Sequence, residues 1–377
     1  MKIAMVNNLY APHMIGGAEL FMQGLAEDLQ RNGMEVYVAT LGKQTRSDVI
    51  NGVSVRYIQL ENIHWPFGES HGGLRKLVWH VRDIRNSLMG QQLGRFLDEV
   101  SPDVVHTGNL SGFSVAAWNE AGKRGIPIVH TVHDFHLLCI RSSMFRSGRP
   151  CTTQCLLCGL FSWVKRGPMR FVTRAVGVSD YIIRTHREYG WFRDIPTTHI
   201  YNSCEFADDF QNERKDVPVV LGFMGRLSPA KGVDFLLETY LKSPLAQTTE
   251  LLIAGKGDEA YTGKIRERMA GSKARLIGHV TPQQLYQQID LLVVPSLWGE
   301  AFGRIIIEAN AHGIPVLTTN RGAIPEIVEE GLTGYVIDPN DTEAWSLALV
   351  SLVAMGPSLR QMAPACRRKA REFRPEV

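Results

Sequence analysis

Leu291-Leu292-Val293-Val294-Pro295-Ser296, followed by Gly299-Glu300-Ala301-Phe302-Gly303-Arg304-Ile305-Ile306-Ile307-Glu308, decides how this 377-residue chain is read. The first run is continuously apolar, as a buried strand is. The second opens a helical pattern. Glu300 stands just before the helix start and Glu308 about two turns in. A helix repeats about every 3.6 residues, so both carboxylates can face one cleft. Between them, Phe302-Gly303-Arg304 offers backbone N–H groups at a helix N-terminus, where phosphate is favoured. One segment can therefore hold a sugar, a diphosphate and a ribose.

Upstream, Gly225-Arg226-Leu227-Ser228-Pro229-Ala230-Lys231-Gly232 contributes two cations. Arg226 and Lys231 can neutralise a diphosphate leaving group without a metal. The chain contains no Asp-x-Asp pair of the kind that holds a divalent ion in many sugar transferases. Alone, the two cations would read as surface charges; beside the Glu300–Glu308 segment they read as a nucleotide-sugar site. Gly16-Gly17-Ala18-Glu19 follows the first strand and lets backbone approach a phosphate or sugar. It lacks the G-x-G-x-x-G spacing, which argues against a nicotinamide enzyme. His133 closes the strand-like run 127–132, where ligands of open sheets bind. It can hydrogen-bond a sugar hydroxyl or shield developing charge, or be a structural histidine among the twelve present.

Working outward, strand and helix signals alternate almost throughout, which predicts α/β architecture with parallel sheets. Strands are expected at 2–7, 35–41, 53–60, 104–107, 127–132, 175–178 and 198–201. A second set is expected at 219–224, 250–254, 275–278, 291–295, 315–318 and 334–337. Residues 19–32 read as a helix closed by Gly33, and Thr281-Pro282-Gln283-Gln284 as a capping box. The polar stretch 202–218 reads as a seam between an acceptor-side domain (1–202) and a donor domain (203–377). The expected fold is two Rossmann-like, doubly wound parallel-sheet domains facing a central cleft.

Composition is that of a globular protein, 44% hydrophobic and 21% charged. The N-terminus reads directly as a strand with no signal-peptide pattern, and no apolar run is long enough to span a bilayer. A cytoplasmic location follows, with the inner face of the plasma membrane as its extension. The net charge of +3 is uneven: residues 1–200 carry 22 Lys/Arg against 16 Asp/Glu, and 201–377 carry 19 against 22. Residues 135–179 hold seven basic residues and no acidic one, interleaved with Phe145, Leu160, Phe161, Trp163 and Phe171. That mixture suits an anionic membrane or a phosphate-bearing acceptor, or else a solvated basic face over a core. Arg141 falls in it and is placed on the acceptor side. Cys139, Cys151, Cys155 and Cys158 cluster in the same segment. Four thiolates can hold a structural zinc or iron–sulfur group; reduced, partly buried thiols are the other reading. No metal is expected in catalysis.

Taken together, Gly16–Glu19, Pro102-Asp103-Val104-Val105-His106, His133-Asp134, Gly177-Val178-Ser179 and Arg226…Lys231-Gly232 resemble the family 4 group of retaining glycosyltransferases. Ala254-Gly255-Lys256-Gly257, Gly278-His279-Val280, Glu300–Glu308 and Gly331-Leu332-Thr333-Gly334 extend the resemblance over nearly the whole chain. It implies the GT-B fold and a role for each site residue. Glu300 would contact the donor sugar, Glu308 the ribose, Arg226 and Lys231 the diphosphate. The backbone of Phe302 and Gly303 would assist them. Val280 would border the base, His133 the donor sugar, and Gly16 and Gly17 the phosphate and acceptor. It also implies reaction on one face of the sugar, the departing phosphate helping to deprotonate the acceptor, with no cofactor beyond the donor. Family members finish with a helix crossing back onto the first domain, and the chain stops about where that helix would begin, so a truncated end is expected.

The expected activity is sugar transfer from a nucleotide-diphosphate donor to a glycan or lipid-linked acceptor in polysaccharide, lipopolysaccharide or glycolipid synthesis. Two other readings stand beside it. One is a synthase or epimerase acting on a small soluble acceptor. The other is a catalytically silent nucleotide-sugar-binding subunit. Nucleic-acid binding is disfavoured, since the basic charge is local and no nucleic-acid motif accompanies it.

Overall fold

The computed structural model describes residues 1–14, 16–67, 72–206 and 218–375. Residues 207–217 of the expected seam lie outside the described residues. The chain divides into two compact units, Met1–Met144 with Cys151–Tyr201, and Phe145–Pro150 with Asn202–Val377.

In the first unit, β1 (Lys2–Val6), β2 (Glu35–Gly42), β3 (Arg46–Ile50), β4 (Val53–Gln59), β5 (Val104–Thr107) and β6 (Ile128–Val132) precede a hairpin, β7 (Phe145–Arg146) and β8 (Arg149–Pro150). The hairpin groups with the second unit. β9 (Val172–Gly177) and β10 (Thr197–His199) complete an eight-stranded sheet of order β10-β9-β6-β5-β1-β2-β4-β3. Its pairs are parallel, with registers such as Ile3↔Val36 and Ile3↔Val104, save for β3. Central strands are continuously apolar where helices cover both faces, as β1 is from Ile3 to Val6. Ile3, Met5, Val36, Val38 and Val55 form a core with Met22 and Ala26 of the helix Gly17–Arg31. Gly33 follows that helix at φ +81°, as expected.

The edge strand β3 pairs antiparallel with β4 and departs from the expected all-parallel sheet. Its sequence, Arg-Ser-Asp-Val-Ile, is mostly exposed and lacks apolar alternation, so periodicity does not betray it. The turn does: Asn51-Gly52, at φ +49° and +85°, is the dipeptide that a two-residue hairpin with both central residues at positive φ demands. Charges on this outermost strand discourage edge-to-edge pairing.

The second unit holds β11 (Val220–Met224), β12 (Glu250–Ala254), β13 (Ala274–Gly278), β14 (Leu291–Val294), β15 (Val316–Thr319) and β16 (Gly334–Ile337). They pair in the order β13-β12-β11-β14-β15-β16, all parallel. Leu221, Phe223, Leu251 and Ile253 pack against Leu236, Leu237 and Trp345 from the covering helices. Thr281 forms the expected capping box with Gln284. Strand order reverses between β11 and β14, and in open α/β sheets the crevice beyond the strand carboxyl ends at such a point is where ligands bind. Arg226 and Lys231 follow β11; Glu300 follows β14.

Candidate active site

Lys231 ends the short turn Pro229–Lys231, closed by Gly232 at φ +74°. A Cβ on Gly232 would stand 1.8 Å from the Pro295 carbonyl oxygen, so only glycine lets this turn lie against the end of β14. Ala230 O accepts from Leu297 N at 2.9 Å and fixes the two loops together. The result is a pair of a half-buried lysine and a buried glutamate, Lys231 Nζ to Glu300 Oε1 at 2.6 Å. Ser296 Oγ donates to the same oxygen at 2.6 Å, and the Trp298 ring lies 5.1 Å from the ammonium. Burial pushes the Glu300 carboxyl up. The Lys231 charge and hydrogen bonds from Lys231, Ser296 and Trp298 outweigh it and hold the group below its ordinary range. Arg226 is exposed on the same strand end.

Gly303, at φ +102°, caps the helix Arg304–Ala311. Phe302 is buried and packs on Phe373 with ring centroids 5.8 Å apart. Glu308 accepts from Arg304 Nε at 2.7 Å. Burial raises the Glu308 pKa, partly offset by Arg304. The two glutamates thus rest on different cations. Arg304 is a residue the sequence reading missed, although its i,i+4 spacing to Glu308 was visible. A cation in a helix's first turn opposes the helix dipole, and here the Glu308 carboxylate one turn on offsets it. Val280 is half-buried between β13 and the helix Pro282–Tyr286.

On the first unit, His133 follows β6 and is 9% exposed, its ring edge-on to Phe21 at 5.3 Å. Neither ring nitrogen has a hydrogen-bond partner among the described residues. Burial, with His106 adding, drives its pKa down to about 3, so the imidazole is neutral. It can exchange hydrogen bonds with a sugar hydroxyl. Shielding developing charge, the other role expected of it, would fall to its neutral dipole. Asp134, raised to about 6 by burial, accepts from His136 N at 2.7 Å and Asn109 Nδ2 at 3.0 Å.

Gly16 and Gly17 begin the helix Gly17–Arg31, but the Gly16 N–H donates to Glu19 Oε2 at 2.8 Å. The expectation that both glycines present N–H groups to a ligand is corrected for Gly16: its own capping carboxylate occupies it. Arg141 is exposed. Cys158 Sγ lies 3.9 Å from Cys139 Sγ. Burial pushes the Cys158 thiol up to about 12, against a hydrogen bond from Ile140 N–H and with Cys139 and Cys155 adding to the rise. Among the described residues no group of three or more His, Cys, Asp or Glu side chains is arranged to hold a metal ion.

The sequence reading also missed a cavity of about 470 Å³ in the first unit, lined by His13, Lys43, Arg46, Tyr57, Trp65 and Phe67 among others. The Arg46 guanidinium stacks over Tyr57 at 4.1 Å, and Trp65 meets Phe67 edge-on at 5.3 Å. Aromatic faces beside cations suit a sugar ring carrying an anionic group. These residues come from separate strands and loops, so no local motif announces them.

Two parallel α/β units, with cations and a carboxylate at the switch point of the second, define the GT-B glycosyltransferase class. The chain belongs to the glycosyltransferase family 4 group: residues 15–205 match "Glycosyltransferase Family 4" and residues 205–371 match "Glycosyl transferases group 1". It is 33% identical over 334 residues to an uncharacterized 42.6 kDa protein in the cps region of Klebsiella pneumoniae, covering 87% of each chain. Anabaena HepE in complex with UDP-glucose shares the fold at TM-score 0.71 and 18% identity, with 99% of this chain and 95% of that one covered. WaaG, a glycosyltransferase involved in lipopolysaccharide biosynthesis, does so at TM-score 0.68 and 19% identity, with 98% and 95% covered.

Proposed function

We propose that the chain transfers a hexose, with retention of configuration, from a nucleoside-diphosphate donor to a glycan or lipid-linked acceptor in surface polysaccharide or glycolipid synthesis. The Lys231–Glu300 pair at the switch point of the second sheet carries this reading. A diphosphate entering there competes with Glu300 for the Lys231 ammonium. Arg226 supplies a second cation, and the backbone at Phe302 and Gly303 supplies N–H donors at the helix N-terminus. Once Lys231 turns to phosphate, Glu300 is free to accept hydrogen bonds from the donor sugar. Glu308 takes the ribose hydroxyls, and Val280 borders the base. His133 gives the sugar a neutral hydrogen bond; Gly17 and Arg141 serve the acceptor side.

In the transfer step the anomeric carbon–oxygen bond to the diphosphate breaks. The bond to the acceptor oxygen forms on the same face, and the acceptor's proton passes to the departing phosphate oxygen. Cationic stabilisation of the leaving group supplies the main rate gain, and no metal is required. The aromatic and cationic cavity at Tyr57, Trp65 and Arg46 supports a charged or glycan acceptor. HepE's complex with UDP-glucose makes uridine diphosphate the first carrier to test. Calorimetric titration of uridine, guanosine and adenosine diphosphates into the wild type and Glu308→Ala tests the donor half. One nucleotide should bind and lose affinity in the variant; binding unchanged by Glu308→Ala would remove that residue from the ribose site.

A further inference from the structure

Two helices of the first unit turn their apolar stripes outward. In the helix Gly73–Arg82, Leu74, Leu77, Val78 and Val81 recur at the i, i+3, i+4, i+7 spacing that normally faces a core. All four are exposed, Leu74 by 77%, and Trp79 alone of that helix is buried. In the helix Leu156–Lys165, Phe161, Ser162 and Lys165 are buried, whereas Leu156, Leu157, Leu160 and Trp163 are exposed, Leu156 by 95% and Trp163 by 68%.

The helices are neighbours despite their distance in sequence. Arg85 Nη2, just past the first, donates to Val164 O at 3.3 Å. Lys165, at the end of the second, is buried in the field of Asp83, the residue that caps the first. Within the stretches that carry them, the exposed charges are basic. Arg75, Lys76, Arg82 and Arg85 are exposed, and Asp83, the one acid from 72 to 97, is only 1% exposed. The stretch 135–179 adds Arg166 and Arg170 and contains no acid at all.

We propose that these two helices form a docking face for an anionic lipid bilayer. The inference deepens the functional reading above and rests on it, because it places the enzyme where a lipid-linked acceptor is found. Each helix has ten residues, so it extends about 15 Å. That is half the thickness of a bilayer's hydrocarbon core, so the helices lie in the interface. No helix among the described residues is long and apolar enough to cross a membrane. Apolar stripes supply insertion, and the basic residues of these stretches supply attraction to acidic headgroups and discriminate against neutral ones. Lys165 Nζ also reaches the backbone oxygen of His136 at 3.3 Å, three residues past His133, which ties the docking face to the carboxyl end of β6.

Flotation of the full chain with phosphatidylcholine vesicles, with and without phosphatidylglycerol, tests the proposal. The wild type should float with the anionic vesicles alone and detach as salt is raised. Leu160→Glu with Trp163→Glu, and separately Arg75→Glu with Lys76→Glu, should each weaken binding about tenfold or more. Both change exposed residues, and a circular dichroism spectrum checks folding. Nucleoside-diphosphate affinity should stay at the wild-type value in both. A wild type that stays in solution, or variants that float equally well, overturns the docking face and leaves the donor site standing. Loss of a dimer in the variants without any flotation of the wild type assigns the patch to a second copy instead, and also overturns it. Absence of nucleotide binding with flotation intact would count against the transferase reading alone.

Discussion

Lys231 Nζ and Glu300 Oε1, 69 residues apart in sequence, meet at 2.6 Å at the carboxyl ends of adjacent strands. The cation proposed for the diphosphate is thus held by the carboxylate proposed for the sugar. Lys231→Ala leaves Glu300 buried with only uncharged donors, and breaking such a half-buried pair costs about 1–3 kcal/mol. A lower urea midpoint is expected for Lys231→Ala, partly restored in Lys231→Ala with Glu300→Gln. Because the folded Glu300 pKa is depressed, its contribution is present above the ordinary carboxyl value. It is lost as pH falls through the folded one. The Arg226→Ala, Lys231→Ala double variant should lose turnover with an unchanged circular dichroism spectrum; near-normal turnover would remove both from catalysis.

Glu308 behaves in the opposite sense. Burial raises its folded pKa, so it protonates before an ordinary glutamate does. A protonated carboxyl is a poorer acceptor for two ribose hydroxyls. Nucleotide affinity should fall on acidification, at higher pH than for an unperturbed glutamate. Glu308→Gln should flatten that dependence. Calorimetry between neutral and mildly acidic pH reads both, and an unchanged slope in the variant would assign the titration elsewhere.

Acid should destabilise the first unit early. His133 is depressed to about 3, His106 and His186 to about 4, and His130 and His136 well below the ordinary value, all chiefly by burial. Between those values and 6.5 the unfolded chain binds more protons, so stability rises with pH. Asp83 and Asp134, raised by burial to about 7 and 6, work the other way. With His80, also lowered to about 4 by burial, six histidines outweigh two aspartates, so the urea midpoint should drop from pH 7 to pH 5. A rise over that interval would show that the carboxyls dominate.

The cavity around Tyr57 and Trp65 separates acceptor from donor effects. Trp65→Ala removes a stacking face and should raise the acceptor KM about tenfold, at the strength of an aromatic or cation–π contact. The dissociation constant for nucleoside diphosphate should not move. Equal losses in both would mean that Trp65 supports the fold rather than the acceptor.

Much of this was legible from local pattern. The apolar run 291–294, the Gly303 cap and the Thr281 box are written in residues that touch their near neighbours. Period, capping and turn chemistry therefore determined the α/β alternation, the strand positions and the Arg226, Lys231, Glu300 and Glu308 candidates. Asn51-Gly52 carried the signal for β3, although apolar periodicity did not. Only the tertiary structure decided that Lys231 holds Glu300, that Glu19 occupies the Gly16 N–H and that His133 stays neutral. Each depends on desolvation and on contacts between loops that sequence order does not bring together. The same limit applies to Leu74 and Leu156. Spacing alone makes each part of an amphipathic stripe, and a stripe looks the same whether it faces a core or water. Which side is covered is a property of the packed chain, since it is set by what other elements leave uncovered.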